Sequence, residues 1–272
     1  MTVHARRPSV SGRRTGGWLL PMKKEPFTLD VGGISIVGEL FSPGAPERVP
    51  ALCICHGIPS GRPADPDDGG YPHLAARFCS AGFATVIFNF RGTGSSGGDF
   101  DMIGWTLDLQ AVIGFLDGHP AVDRSRICLM GFSGGAATSA YVAAHNQKVA
   151  RVVLCACPAE FRKFTGPHRD DFSLDHFRQI GLIRDSGFPP SVDDWLNSFR
   201  EAAPIRWIDR IAPRPLLILH GEDDDLVDVE QAWRLYEKAL QPKGIAIVEG
   251  AGHKLRLSDR AMRLALEWLL KA

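Results

Sequence analysis

The chain predicts an α/β domain, a mostly parallel sheet covered by helices on both faces. Three observations carry this prediction. Short runs apolar on both faces recur along the chain as "ALCIC", "ATVIFNF", "RICLM", "VVLCAC", "LLILH" and "IAIVE", the pattern of strands buried from two sides. Between them lie segments whose apolar residues recur at helical spacing. At 272 residues, 44% of them hydrophobic, the chain is long enough to bury one large core.

The elements follow in order. Residues 1–22 hold Arg6, Arg7, Arg13 and Arg14 and no acid. They read as a disordered basic tail, or as a stretch upstream of a true start at Met22, and the domain spans 23–272. The apolar stretch "GGWLLPM" after Arg13-Arg14 is too short for an export signal, and no run of about 18 apolar residues predicts a membrane span. "FTLDVG" and "ISIVGELF" predict a hairpin around Gly32-Gly33, and the six apolar runs follow. Helices are expected over Leu109, Val112, Ile113 and Leu116, over Val229, Ala232, Trp233 and Tyr236, and over Ala261, Leu264, Ala265 and Trp268.

One interval breaks the rhythm. From Pro158 to Pro213 there is no strand pattern but many large aromatics: Phe161, Phe164, Phe172, Phe177, Phe188, Trp195, Phe199 and Trp207. An irregular loop of that length is uncommon in a compact domain, so a small helical insertion is expected at about 158–213.

Composition excludes several classes. The 31 basic and 31 acidic residues balance, so no overall field favours nucleic acid or an anionic membrane. Of six cysteines, Cys53 and Cys55, like Cys155 and Cys157, sit in strand-like runs, where free cysteine serves as a small hydrophobe. With no C-x-x-C and no histidine at zinc spacing, neither a metal nor another cofactor is expected. A reducing cytoplasm fits this cysteine usage best.

Two segments match G-x-S-x-G, Gly94–Gly98 around Ser96 and Gly131–Gly135 around Ser133. A nucleophile needs a strand, a sharp turn carrying the serine, then a helix, with small residues two before and two after it. Ser133 has all of these: "RICLM" precedes it, Gly131 and Gly135 flank it, and the alanine-rich "AATSAYVAAHN" follows. Ser96 is separated from its strand by Arg91 to Ser95, and no helix starts at once behind it. Its glycines predict a flexible loop at the sheet's carboxyl edge, and without G-x-x-x-x-G-K-[ST] that loop is no nucleotide cradle.

A serine hydroxyl needs a base, and the base an orienting carboxylate. His253 follows the last strand through Gly250-Ala251-Gly252 and precedes the final helix, the best address among nine histidines. For the carboxylate, "LLILHGEDDDLVD" offers Glu222, Asp223, Asp224, Asp225 and Asp228. The order serine, acid, histidine is the one expected with an elbow nucleophile. An oxyanion hole needs two N–H donors; Gly134 supplies one, and Ile58 in the His56-Gly57-Ile58-Pro59 turn the other. His56 is read as holding that turn by hydrogen bonds.

Together these pieces resemble the α/β-hydrolase superfamily over nearly the whole chain. The His56–Pro59 turn, the Gly131–Gly135 elbow, "HGEDDDLV" and the Gly-Ala-Gly-His ending occur in the family's order. In relatives with the pattern H-G-x-x-D-x-x-V the aspartate is the triad acid, so the resemblance assigns that role to Asp224, with His220 and Val227 matching. "FNFRGTGSSGG" resembles the "RGxGxS" segment of many esterases and serine-aminopeptidase-like hydrolases, whose serine is not the nucleophile. The insertion sits where the family places its cap, as in cinnamoyl and feruloyl esterases. Ser133 argues against haloalkane dehalogenases and epoxide hydrolases, which use aspartate, and against dienelactone hydrolases, which use cysteine. The lack of a preceding propeller sets the chain apart from prolyl oligopeptidases.

The resulting expectation is a monomeric or homodimeric serine hydrolase acting on a small-molecule carboxylic ester. Its catalytic residues would be Ser133, Asp224 and His253, with Ile58 and Gly134 N–H groups as the oxyanion hole. The aromatic-rich insertion points to an apolar or aromatic substrate group. A peptidase or amidase, a thioesterase, and a non-catalytic binding protein of the same fold stay open as alternatives.

Overall fold

The hairpin expected around Gly32-Gly33 forms one edge of the sheet. In the computed structural model, which describes residues 22–61, 68–161 and 174–271, it comprises β1 (Lys23–Val31) and β2 (Ile34–Ser42). Both turn glycines take positive φ, which glycine adopts without a Cβ penalty. The basic tail, apart from Met22, lies outside the described residues.

The apolar runs form β3 (Val49–Cys55), β4 (Ala84–Phe88), β5 (Val122–Phe132), β6 (Val149–Cys155), β7 (Leu216–Gly221) and β8 (Lys243–Val248). Strand order is β1-β2-β4-β3-β5-β6-β7-β8. Only β1–β2 and β2–β4 pair antiparallel; the others are parallel. β4 lies on one side of β3 and β5 on the other, so the chain reverses direction across the sheet between them. A crevice forms at such a reversal, outside the strands' carboxyl ends.

Helices cover both faces. On one, α2 (Met102–Gly118) and α3 (Gly134–His145) bury Trp105, Leu109, Val112, Ala136 and Ala140. On the other, α1 (Gly70–Ser80) buries Leu74 and Phe78 against Leu52, Ile54 and Met130. The periodicity reading did not identify α1, whose apolar stripe is short and whose start is hidden behind Gly69-Gly70. All six cysteines are buried and unpaired, and burial pushes the Cys128 thiol up to about 12.

Between β6 and β7 the regular elements among the described residues are all helical: α4 (Leu174–Gln179), α5 (Val192–Glu201), and 3-10 turns at Pro204–Arg206 and Ile208–Ile211. The Ser191 side chain accepts the Asp194 N–H and caps α5. The aromatics of this segment divide between packing and cavity, Phe188 and Trp195 lining a cavity of about 360 Å³. Phe161, Phe177, Trp195 and Phe199 are buried, and the last three pack their rings around Phe100. Trp195 Nε1 donates to the Phe100 carbonyl at 2.8 Å. Their area is spent attaching the segment to the domain; Phe164 and Phe172 lie outside the described residues.

After β7, α6 (Val229–Lys238) and, after β8, α7 (Asp259–Leu270) complete the layers. The expected α6 stripe shifts: Ala232 and Leu235 are buried while Trp233 is 41% exposed. The sheet-facing row runs through residues 232, 235 and 239, and Trp233 turns outward, meeting Tyr236 edge-on at 6.2 Å.

Candidate active site

Ser133 lies between β5 and α3 with φ 52° and ψ −119°, a strained conformation for any residue with a Cβ, worth about 1–3 kcal/mol. The neighbouring glycines explain how the turn closes. A Cβ on Gly131 would strike Ala136 and the Gly135 carbonyl, and one on Gly135 would strike the carbonyls of Cys55 and His56. The Ser133 N–H donates to Cys155 O at 2.9 Å, tying the elbow to the end of β6.

The acidic cluster past β7 sorts itself by geometry. Asp228 caps α6 by accepting the Glu230 N–H, and Glu222, Asp223 and Asp225 are exposed. The Asp224 side chain is fully buried, and both its oxygens lie 2.9 Å from His253 Nδ1. Oδ1 also accepts the N–H groups of Leu226 and Val227, each at 2.9 Å. Burial alone would raise its pKa, but hydrogen bonds from His220, His253 and the Val227 N–H outweigh it and hold the carboxyl well below the usual range.

Gly221 lets the two loops meet. A Cβ there would run into the carbonyls of Ala251 and Gly252, and the Asp223 N–H donates to Ala251 O at 3.0 Å. The "GAGH" ending is thus a turn shaped to lie against the acid-bearing turn, with Gly250 at positive φ.

The His56–Pro59 turn closes β3 beside the elbow. A Cβ on Gly57 would sit 3.0 Å from Ser133 Cβ and 3.7 Å from its Oγ, and one on Gly134 would sit 3.4 Å from Ile58 N. Neither the Ile58 nor the Gly134 N–H donates to an acceptor among the described residues. His56 Nδ1–H donates to Gly57 O at 2.8 Å, and Nε2 accepts the Phe90 N–H at 3.3 Å. His56 therefore ties the turn, through Gly57 O, to the backbone of Phe90.

Ser96 is elsewhere and occupied. Its hydroxyl donates to Asn89 O at 2.6 Å and accepts the Val37 N–H at 2.9 Å, with 1% exposure. The loop around it is braced, contrary to the flexible loop its glycines predict. Arg91 forms a buried ion pair with Asp108 at 2.7 Å. Arg184, from the segment after β6, donates to the carbonyls of Ser96, Gly94 and Gly92. No sequence signal marked Arg184. The same holds for Arg256, which grips Asp68 through both carboxylate oxygens and lies 5.3 Å from the centre of the Tyr71 ring. Arg256 holds the Asp68 carboxyl down to about 2, against the opposing effect of burial.

His253 opens onto a cleft of about 1040 Å³ lined also by Ser60, His176, Asp225, Leu226 and Leu257. No group of three histidine, cysteine, aspartate or glutamate side chains among the described residues is arranged to hold a metal ion. No helix among the described residues is long and apolar enough to cross a membrane.

Known proteins bear on this arrangement. A family model described as the prolyl oligopeptidase family matches residues 71–272. The uncharacterized protein YqkD of Bacillus subtilis is 30% identical over 220 residues, 78% of this chain and 67% of that protein. The monoacylglycerol lipase of Mycolicibacterium smegmatis is 23% identical over 269 residues, covering 87% and 92%. Among solved structures, Est1E from Butyrivibrio proteoclasticus with bound ferulic acid superposes at a TM-score of 0.66 with 20% identity, covering 90% of this chain and 96% of that one. The propeller argument that set the chain apart from prolyl oligopeptidases is corrected by the family match, which rests on the segment holding Ser133, Asp224 and His253. The chain belongs to the prolyl oligopeptidase family and carries the α/β-hydrolase fold.

Proposed function

We propose that this protein is a serine hydrolase that cleaves a small-molecule carboxylic ester through an acyl-enzyme intermediate. The observation that carries the reading is the strained Ser133 elbow at the end of β5, at the same sheet edge as the hydrogen-bonded Asp224–His253 pair. Ser133 Oγ attacks the ester carbonyl while His253 Nε2 takes its proton. The Asp224 carboxylate holds Nδ1–H and stabilises the imidazolium. The N–H groups of Ile58 and Gly134 receive the oxyanion. The carbon–oxygen bond to the alcohol then breaks, and the alcohol leaves with the proton from His253. Water, deprotonated by His253, adds to the acyl-enzyme, Ser133 regains its proton and the acid departs.

The segment at 158–213 acts as the cap, a role supported by His176 of α4, which lines the cleft with His253. The likeness to a monoacylglycerol lipase, and to Est1E with ferulic acid bound, supports ester chemistry. Six unpaired thiols support a reducing, cytoplasmic setting. The family match favours one second reading, amide or peptide cleavage by the same residues. The test is fluorophosphonate labelling of folded protein together with hydrolysis of p-nitrophenyl esters and aminoacyl-arylamides, with Ser133→Ala as control. Absence of an adduct on Ser133 would sink the hydrolase reading, and turnover of arylamides but not esters would favour the second.

A further inference from the structure

We infer that His220 is a positioning residue for Asp224, a second histidine whose N–H fixes the carboxylate that His253 uses. The inference rests on the proposed roles of Ser133, Asp224 and His253.

A fully buried carboxylate must have its lone pairs filled by protein donors. Oδ1 of Asp224 is filled by the backbone N–H groups of Leu226 and Val227. Oδ2 has no backbone donor among the described residues. Its neighbours are His253 Nδ1 at 2.9 Å and His220 Nε2 at 3.3 Å. The same Nε2 lies 2.8 Å from the Val227 carbonyl. A carbonyl only accepts, so Nε2 carries the hydrogen and donates it to Val227 O, with Asp224 Oδ2 beside the same N–H at 3.3 Å.

The other ring nitrogen sharpens the argument. His220 is completely buried, and its Nδ1 has no partner among the described residues. An apolar side chain would bring no such orphan, so what accounts for an imidazole here is the work of its Nε2. Its placement suits that work. His220 belongs to β7, in register with Ile247 of β8, whereas Asp224 rides on the turn beyond. One N–H from a strand therefore references both the turn, through Val227, and the carboxylate, through Oδ2. Without it Oδ2 keeps only His253, the carboxylate turns more freely about its Cβ–Cγ bond, and the His253 ring loses its aim.

The experiment compares His220→Leu, His220→Asn and His220→Gln in the full chain. The Gln amide nitrogen reaches the place of Nε2, and neither Leu nor Asn puts a donor there. Fluorophosphonate labelling of Ser133 is expected to slow by about 10- to 100-fold in the Leu and Asn variants, the range typical of groups that orient another ligand. Labelling of the Gln variant should stay within about fivefold of the wild type, and on p-nitrophenyl acetate the loss should fall on kcat, with KM within about twofold. Cooperative thermal melts establish which variants are folded; should Leu fail to fold, Asn against Gln decides. Labelling of a folded Leu or Asn variant at the wild-type rate overturns the inference. So does equal slowing of all folded variants, which is what a merely structural role predicts. A wild-type protein that does not label at all overturns the triad reading itself, and this inference with it.

Discussion

The Nδ1–H of His56 donates to the carbonyl of Gly57 at 2.8 Å, and that carbonyl belongs to the peptide whose N–H is that of Ile58. A planar peptide directs its N–H opposite to its carbonyl. Holding one end with an imidazole therefore fixes the direction of the other, the proposed oxyanion donor.

His56→Leu should lower kcat by about 10- to 100-fold if the Ile58 N–H loses its aim, somewhat less than complete removal of an oxyanion donor. Steady-state kinetics checks this. Burial lowers the His56 pKa from its ordinary 6.5, the Gly57 hydrogen bond opposing only in part. A histidine whose folded pKa is depressed binds protons more readily in the unfolded chain. Its contribution to stability is therefore constant above 6.5 and is lost as pH falls below 6.5 toward the folded value. Urea midpoints measured from about pH 8 down to about pH 5 should fall less steeply in His56→Gln than in the wild type.

Replacing each serine separates pattern from geometry. Ser133→Ala should abolish turnover and labelling. Ser96→Ala should leave the activity of folded enzyme near that of wild type, because the Ser96 hydroxyl is engaged with Asn89 and Val37. Losing those two hydrogen bonds in a buried site should lower stability by about 1–3 kcal/mol, read as an earlier melting midpoint.

Among the acids, Asp224→Asn should cut kcat by about 10⁴-fold, since an amide favours the wrong histidine tautomer. Asp223→Asn and Asp225→Asn, both at exposed positions, should retain nearly full activity. The three variants measured side by side assign the acid; a large loss at either neighbour with Asp224→Asn active would move the assignment.

Asp108→Ala should destabilise the protein by about 3–5 kcal/mol, because it leaves the Arg91 guanidinium buried without its partner. Arg91 is only 8% exposed and Asp108 not at all, so water cannot replace the lost carboxylate. Denaturant unfolding measures the loss. Arg91→Met combined with Asp108→Leu should recover part of it.

Much of the fold was legible because burial on both faces writes itself into a strand as an unbroken apolar run. β3, β5, β6 and β7 all announced themselves in this way, and "RICLM" followed by Gly-Phe-Ser-Gly-Gly and a run of alanines distinguished Ser133 from Ser96. α1 escaped because its buried face is four residues. The outward turn of Trp233 and the inward packing of Phe177, Trp195 and Phe199 escaped for a related reason. Periodicity reports that a side chain is apolar, not whether it meets the sheet, a neighbouring segment or the cleft.

Sequence alone determined the α/β class, the order of the strands along the chain, the serine on an elbow and a histidine after the last strand. Each of these is a local pattern, set by what a few consecutive residues can bury or how they can turn. The H-G-x-x-D-x-x-V resemblance had named Asp224 among five neighbouring acids; only the tertiary structure brought its carboxylate against His253, closed Arg184 on the glycine loop, and carried Arg256 back to Asp68 across 188 residues. It alone showed that His220 and His253 share one carboxylate. Such contacts depend on where the sheet brings distant turns together, and no spacing along the chain encodes that distance.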